Sequence, residues 1–319
     1  MALDHARYRD EVNSFFLKSE REESFCIFCE KSTPTHTIFS NDLMTVVLCQ
    51  CGFVYQKNQP TQKSLNQFYT RSSAMTSWAN IKMSPQETLR QGNKFVRAVN
   101  LLCDIGAKSV LDIGCGNGFF LSLLSDMLPG ANLVGIDQNI DATAVATHAG
   151  CNVVNQNIFE FLESDGEKYD AVTLWGVLEH VKSPQEVLKS CMKRLTPNGV
   201  IVVCVPNVGS LVVKTIWEKC FTFCPQHLWY FDIRTMYKIF SDVGLFVEVS
   251  YTIEAESLPI LKHLNGIEPY GKIPEFLEKE FTDEILSRHD SMVLSSNIGY
   301  KIVAIGSANE CRDHTRTLQ

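Results

Sequence analysis

Val110-Leu111-Asp112-Ile113-Gly114-Cys115-Gly116-Asn117-Gly118, running on into Phe119-Phe120-Leu121, decides the fold. A buried strand stops at a glycine turn and opens straight into an apolar helix. Glycines at alternate positions let the main chain pass close to a ligand where a Cβ would clash. The helix that follows aims its free N–H groups at whatever lies over the turn. The stretch is half of a nucleotide-type site.

Outward from this turn, strands and helices alternate. The pattern predicts strands over 108–113, 133–137, 152–154, 169–175 and 200–205. Between them it predicts helices over 118–128, 140–149 and 184–195 and a helical turn over 158–162. Continuous β-branched runs between helices belong to strands covered on both faces, hence an α/β fold with a parallel, doubly wound sheet. Ligands of such sheets bind beyond the carboxyl ends of the strands. Asp112 ends the first strand beside the glycine turn, and Asp137 ends the second, where a carboxylate can accept from both hydroxyls of a ribose. A dinucleotide site wants its third glycine where this chain has Phe119.

Asp112 to Gly118 resembles motif I of the class I S-adenosylmethionine (SAM)-dependent methyltransferases, and Asp137 matches that family's ribose-binding acid. Tyr169 to Leu174 is similar to its fourth-strand motif, and Leu195-Thr-Pro-Asn-Gly199 to its turn before strand five, with Asn198 replacing a glycine. The resemblance implies a Rossmann-like sheet of seven strands, the last two an antiparallel hairpin from 245–251 and 299–305. It assigns SAM to Asp112, Gly114, Cys115, Gly116, Gly118, Asp137, Gln138, Asn157, Ile158 and Trp175, with Asn157 near the adenine amino group. Gly176-Val-Leu-Glu179-His180-Val-Lys-Ser-Pro184 and Pro225-Gln-His227-Leu-Trp-Tyr-Phe231 resemble segments of the ubiquinone-type and the sugar- or metabolite-modifying members. Some relatives carry another Glu three residues before the Glu-His pair, where this chain has Gly176.

Methyl transfer from a sulfonium is an in-line displacement, and a hydroxyl acceptor also needs a base. Glu179, His180 and His227 are the candidates. His180 or His227 can take the proton, the three together can hold a divalent ion that lowers the acceptor's pKa, or Glu179 and His180 can simply brace their loop. Trp217, Phe221, Phe223, Trp229 and Tyr230 read as acceptor pocket or as core. Cys220, Cys224 and His227 have ligand-like spacing that in an aromatic-rich insert reads as packing.

Upstream, Cys26-x-x-Cys29 and, twenty residues later, Cys49-x-Cys51 fit a structural Cys₄ zinc ribbon, or else four small buried thiols in a hairpin. Four thiolates leave no open position for catalysis, so any zinc here is structural. A cysteine ribbon before such a domain resembles bacterial methyltransferases of polysaccharide and natural-product pathways. The organisation expected is a helix over 1–20, the ribbon-like module at 21–60, a helical connector at 61–107 and the methyltransferase domain at 108–308. Within the connector, 60–69 reads as a linking segment and 85–104 as a helix burying Phe95, Val96, Val99, Leu102 and Cys103. Inserts at 206–235 and 252–297, the second with a charged helix near 275–287, would cover the acceptor, and 309–319 is a polar tail.

The totals agree. The 319 residues are 45% apolar and 20% charged, ordinary for a globular protein. A net charge of −7 argues against a nucleic acid as the main partner. The start has no apolar core of a leader and no run is long enough to cross a membrane, so a cytoplasmic protein is expected and its 12 cysteines are free thiols or ligands. The expected function is O-methylation of a small-molecule or sugar acceptor, with oligomeric state left open. The rivals are an RNA or protein methyltransferase that docks through the cysteine module, and a non-catalytic SAM-fold scaffold.

Overall fold

The computed structural model describes residues 2–29, 34–82, 85–164 and 166–308. Its centre is a sheet of seven strands whose order, edge to edge, is Phe246–Ile253, Lys301–Ser307, Leu195–Pro206, Tyr169–Trp175, Ser109–Ile113, Asn132–Asp137 and Val153–Asn155. The pairings are parallel from Leu195–Pro206 across to Val153–Asn155. The last strand, Lys301–Ser307, runs antiparallel to both of its neighbours. The hairpin expected from 245–251 and 299–305 is therefore present, displaced by one or two residues. Val110, Leu111, Ile113, Val172, Leu174, Ile201 and Val203 are fully buried because helices cover both faces, which is why their strands read as unbroken apolar runs. Strand order reverses between Ser109–Ile113 and Tyr169–Trp175, and the carboxyl ends of these two open the cleft where such sheets bind ligands.

The cysteine module is joined to this core through a second sheet of four strands. Pro34–Ser40, Thr45–Cys49 and Val54–Gln56 form a meander, and Trp229–Tyr230 from beyond the fifth strand of the large sheet pairs with Val54–Gln56. Trp229, expected as pocket or core, is core: its ring stacks over Phe53 and its Nε1–H donates to the Val181 carbonyl at 2.7 Å. Tyr230 is buried in the same sheet, while Trp217 lies 44% exposed and only Phe221 and Phe223 of that group line the cleft.

Three expectations for helices need correction. The segment 60–69 is largely helix Gln62–Arg71, capped by Thr61, and a further helix Ser73–Lys82 follows. Polar residues dominate the first of these, but Leu65 and Phe68 are one turn apart and fully buried against Phe15 and Phe16 of helix Ala2–Leu17. Tertiary packing, rather than a long apolar stripe, makes the helix. On helix Pro85–Asp104, Ala98 takes a buried place and Val96 is 48% exposed. The charged helix near 275–287 is instead a run of 3₁₀ turns, Glu275–Phe281, followed by helix Asp283–Ser295 that starts after Thr282. Residues 309–319 lie outside the described residues.

Candidate active site

A cavity of about 1960 Å³ opens at the reversal point. Single-ligand pockets run to roughly 1,000 Å³, so there is room here for a cofactor and an acceptor together. Three buried polar atoms with no partner line it: Trp175 Nε1, Glu179 Oε2 and Gln226 Oε1. Unsatisfied groups gathered in one cleft are what a ligand would complete.

The cofactor end is built from the opening stretch. The glycines divide the work. A Cβ on Gly114 would meet Val177 Cγ2 at 2.6 Å and one on Gly118 would meet Ala146 and Cys151 at 2.9 Å, so these two serve packing. Gly116, at φ +55°, lines the cleft as Gly114 does but has nothing within 4 Å of its missing Cβ. Its N–H donates to Asp137 Oδ2 at 2.9 Å, and the Asn139 N–H donates to Oδ1 at 2.8 Å. The acid is thus fixed beneath the turn, with burial raising its pKa and the two N–H groups opposing that rise. Asp112 accepts from Thr173 Oγ1 at 2.6 Å, and burial pushes its carboxyl up to about 7. The thiol of Cys115 packs under the sheet against the site of Gly135, which leaves its main chain to face the cleft. Asn157 caps the next helix through Oδ1 and donates Nδ2–H to Gln138 Oε1, and both side chains line the cleft together with Ile158. The Trp175 ring packs against Phe95 and Phe120, and Lys94 lies over it at 5.3 Å.

The end expected to take the acceptor brings together the loops that follow the fourth and fifth strands of the large sheet. Glu179, His180 and His227 place one ligand-type atom each within 4.8 Å of one another. His180 Nε2 lies 3.8 Å from Glu179 Oε1, and the two imidazole rings are 4.7 Å apart. His180 Nδ1 is 2.9 Å from the Gln226 carbonyl and His227 Nδ1 is 2.7 Å from the Thr222 carbonyl. A carbonyl only accepts, so each Nδ1 donates, and in the neutral ring the free lone pair is then on Nε2. Burial holds His227 well below the usual imidazole range, with His180 adding to the effect, and burial raises the Glu179 carboxyl while His180 opposes it. Two bare imidazoles beside a buried carboxylate can take up a proton or a cation. Gly176 sits at φ +75°, a backbone region that disfavours the glutamate some relatives carry there.

The module forms the wall behind these residues. Gln56 N–H and Gln59 Nε2–H both donate to the Leu228 carbonyl, and Leu228 N–H donates to the Glu179 carbonyl. Arg234 donates to the carbonyls of Cys51 and Gly52. The Sγ atoms of Cys26, Cys29, Cys49 and Cys51 lie within 4.8 Å of one another, with Cys26 and Cys51 at 3.6 Å. Ligands of a tetrahedral Zn–S centre stand about 3.8 Å apart, so the donor set fits zinc despite the single residue in the second pair. Cys220 and Cys224 join no ligand cluster with His227 among the described residues.

Sequence reasoning missed several groups that line this cleft: Tyr8, Tyr69, Lys94, Gln226, Glu254 and Lys301. Burial lowers the Lys94 pKa, and Lys301 and Arg90 both pair with Glu254. Apart from Gln226, which sits in the turn beside His227, these residues lie singly on helices or at strand ends, where no local spacing picks them out.

A family model described as a methyltransferase domain matches residues 86–248. The ubiquinone biosynthesis O-methyltransferase of Glaesserella parasuis is 36% identical over 110 residues, which are 31% of this chain and 46% of that protein. The chain thus spans less than half the length of the curated relatives it matches. Among solved structures, magnesium protoporphyrin IX methyltransferase from Synechocystis PCC 6803, with bound SAH, aligns with TM-score 0.51 at 15% identity, covering 76% of this chain and 97% of that one. A plantazolicin methyltransferase in complex with SAH aligns with TM-score 0.50 at 18% identity, covering 77% and 94%. At these identities the structural likeness concerns the fold.

Proposed function

The chain belongs to the methyltransferase-domain family, and from that premise we propose that it transfers the methyl group of SAM to a hydroxyl of a small molecule. Asp137 would hold the ribose, the open backbone at Gly116 would pass under the cofactor, and Asp112 would face the ammonium of its methionine part. Asn157 and Ile158 would lie at the adenine. SAM supplies an electrophilic methyl, and the protein supplies alignment and a place for the acceptor's proton.

The observation that carries the acceptor chemistry is the position of His180 Nε2, 3.8 Å from the buried Glu179 carboxylate. The acceptor hydroxyl gives its proton to that nitrogen. Its oxygen lone pair forms the new bond to the methyl carbon, and the C–S bonding pair returns to sulfur, which leaves as a neutral thioether. The imidazolium left on His180 is stabilised by Glu179, while burial keeps His227 neutral beside it. Hydroxyl chemistry is supported by this base and by the O-methyltransferase names of the relatives. A sugar hydroxyl would use the same step.

A second reading is favoured by the orphaned Glu179 Oε2. Glu179, His180 and His227 would hold a divalent ion that acidifies the acceptor. For the four thiols, the reading is structural zinc. Because the module's strand Val54–Gln56 is paired on both sides, with Thr45–Cys49 and with Trp229–Tyr230, a structural role is favoured over docking of RNA or protein.

The test uses labelled SAM with a panel of phenolic and sugar acceptors. Native protein should methylate at least one hydroxyl class, and His180→Ala should lose that activity. Full rates in both His180→Ala and His227→Ala would remove the base. Loss of activity on chelation, with return on adding back a divalent ion, would favour the metal.

A further inference from the structure

Tyr69 stands in the last turn of helix Gln62–Arg71, in a stretch whose sequence carries no functional signal. Its hydroxyl lies 2.7 Å from His180 Nδ1, on the same nitrogen that meets the Gln226 carbonyl at 2.9 Å. Its ring meets the His180 ring edge-on, with centroids 5.6 Å apart, and Phe68 beside it is fully buried and anchors the turn. The main-chain carbonyl of the same residue accepts from Asn139 Nδ2 at 3.1 Å. Asn139 in turn donates its N–H to Asp137, the acid of the cofactor end. One residue therefore touches the loop beneath the cofactor with its backbone and the imidazole of the acceptor end with its side chain.

We propose that Tyr69 is a positioning residue of the methyl-transfer site. Its hydroxyl and the Gln226 carbonyl together keep the His180 proton on Nδ1 and Nε2 bare toward the cleft, while its backbone ties that ring to the Asp137–Asn139 loop. The reasoning is one of donors and acceptors. The Gln226 carbonyl has no proton, so the 2.9 Å contact is satisfied only by a protonated Nδ1. A phenol can donate or accept, and beside a protonated Nδ1 it accepts. With two acceptors converging on one N–H, neither ring rotation nor the other tautomer keeps both contacts. The orientation of a working imidazole is commonly set in this way by the partner of its other nitrogen. The role is the same whether Nε2 serves as base or as metal ligand, and it rests on the proposed reading of His180 as the working group.

The experiment needs no acceptor. Full-length protein labelled with ¹⁵N-histidine and saturated with SAH is examined by NMR, with His180→Gln used to assign the signals. The native protein should show His180 as a single neutral tautomer with Nδ1 protonated. Tyr69→Phe, which keeps the ring, should bring up the second tautomer or broaden the signals, with SAH affinity by calorimetry unchanged. Tyr69→Leu should give the same disturbance. A native ring protonated on Nε2, or a Tyr69→Phe spectrum identical to the native one, overturns the proposal. A lowered melting temperature with an unchanged spectrum assigns Tyr69 to packing and overturns it as well. The reading of His180 itself is tested separately, by methyl transfer after His180→Ala. Full activity there refutes that reading, whatever the spectrum shows.

Discussion

The two ends of the cleft are assembled in opposite ways. Apart from Trp175, the cofactor end comes from 112–118, 137–139 and 157–158, fewer than fifty consecutive residues in which successive strand ends deliver an acid with a glycine turn, a second acid and an amide. The acceptor end draws Tyr8, Tyr69, Glu179, His180, Gln226 and His227 from widely separated parts of the chain, and Gln226 reaches Tyr8 across a separation of 218 residues. The first end follows from local geometry. The second depends on helices, a hairpin and a cysteine module all packing correctly. Damage to the acceptor end should therefore stop turnover and leave cofactor binding alone, and damage to the cofactor end should lower cofactor affinity first.

His180→Ala should show the largest effect, a loss of about 10²- to 10⁴-fold in methyl transfer, with SAH affinity unchanged by calorimetry. A matching loss of SAH affinity would merge the two ends into one. Gly114→Ala breaks the other end. Its Cβ would stand 2.6 Å from Val177 at φ +70°, a strain of about 1–3 kcal/mol, and SAH affinity should fall roughly tenfold. Since Val177 lies two residues before Glu179, some loss of turnover should accompany it.

Cys26→Ser tests the wall. Bound zinc measured by elemental analysis should disappear, and the melting temperature should drop by about 5 °C, on a loss of ~2 kcal/mol at the few degrees per kcal/mol of a chain this size. SAH should still bind. A variant that keeps its melting temperature and contains no zinc in either form would return the four cysteines to the role of buried thiols.

A pH dependence is expected at the cofactor end as well. Burial raises Asp112 to about 7, so below that pH the unliganded protein holds a proton on it. A bound ammonium favours the ionised form, so cofactor binding should release that proton. Affinity should then rise with pH from the ordinary carboxylate range up to about 7 and level off above it, with a slope of no more than tenfold per unit. Titrations at pH 6 in buffers of different ionisation enthalpy should detect the released proton, and equal heats in all buffers would place Asp112 away from the ammonium.

What the sequence made legible follows the same division. Gly116, Asp112 and Asp137 were readable because a turn, a strand end and the next strand end are fixed by alternation alone. The large sheet was readable for the same reason, since continuous apolar runs leave no other place for its strands. Glu179, His180 and His227 could be named, but not their mutual distance, because the fifth strand and the Trp229–Tyr230 pairing bring them together. Tyr69 was illegible. Helix Gln62–Arg71 has Leu65 and Phe68 as its buried apolar anchors, and its polar remainder looked like a linker. The aromatic insert misled in a related way, since Trp229 serves the sheet shared with the cysteine module and so lies away from the acceptor. Burial and function leave the same aromatic signature in a sequence, and only the partner strand distinguishes them.

The most direct test of the account is a calorimetric titration of the full-length protein with SAH, repeated on Asp137→Ala. Asp137 receives two main-chain N–H groups and would accept from the ribose, so its loss should weaken binding by about 100-fold, as expected for hydrogen bonds to a charged group. The native protein should bind one SAH per chain, Asp137→Ala should bind it about 100-fold more weakly, and His180→Ala should keep the native affinity. No binding by the native protein, or equal binding by Asp137→Ala, would contradict it.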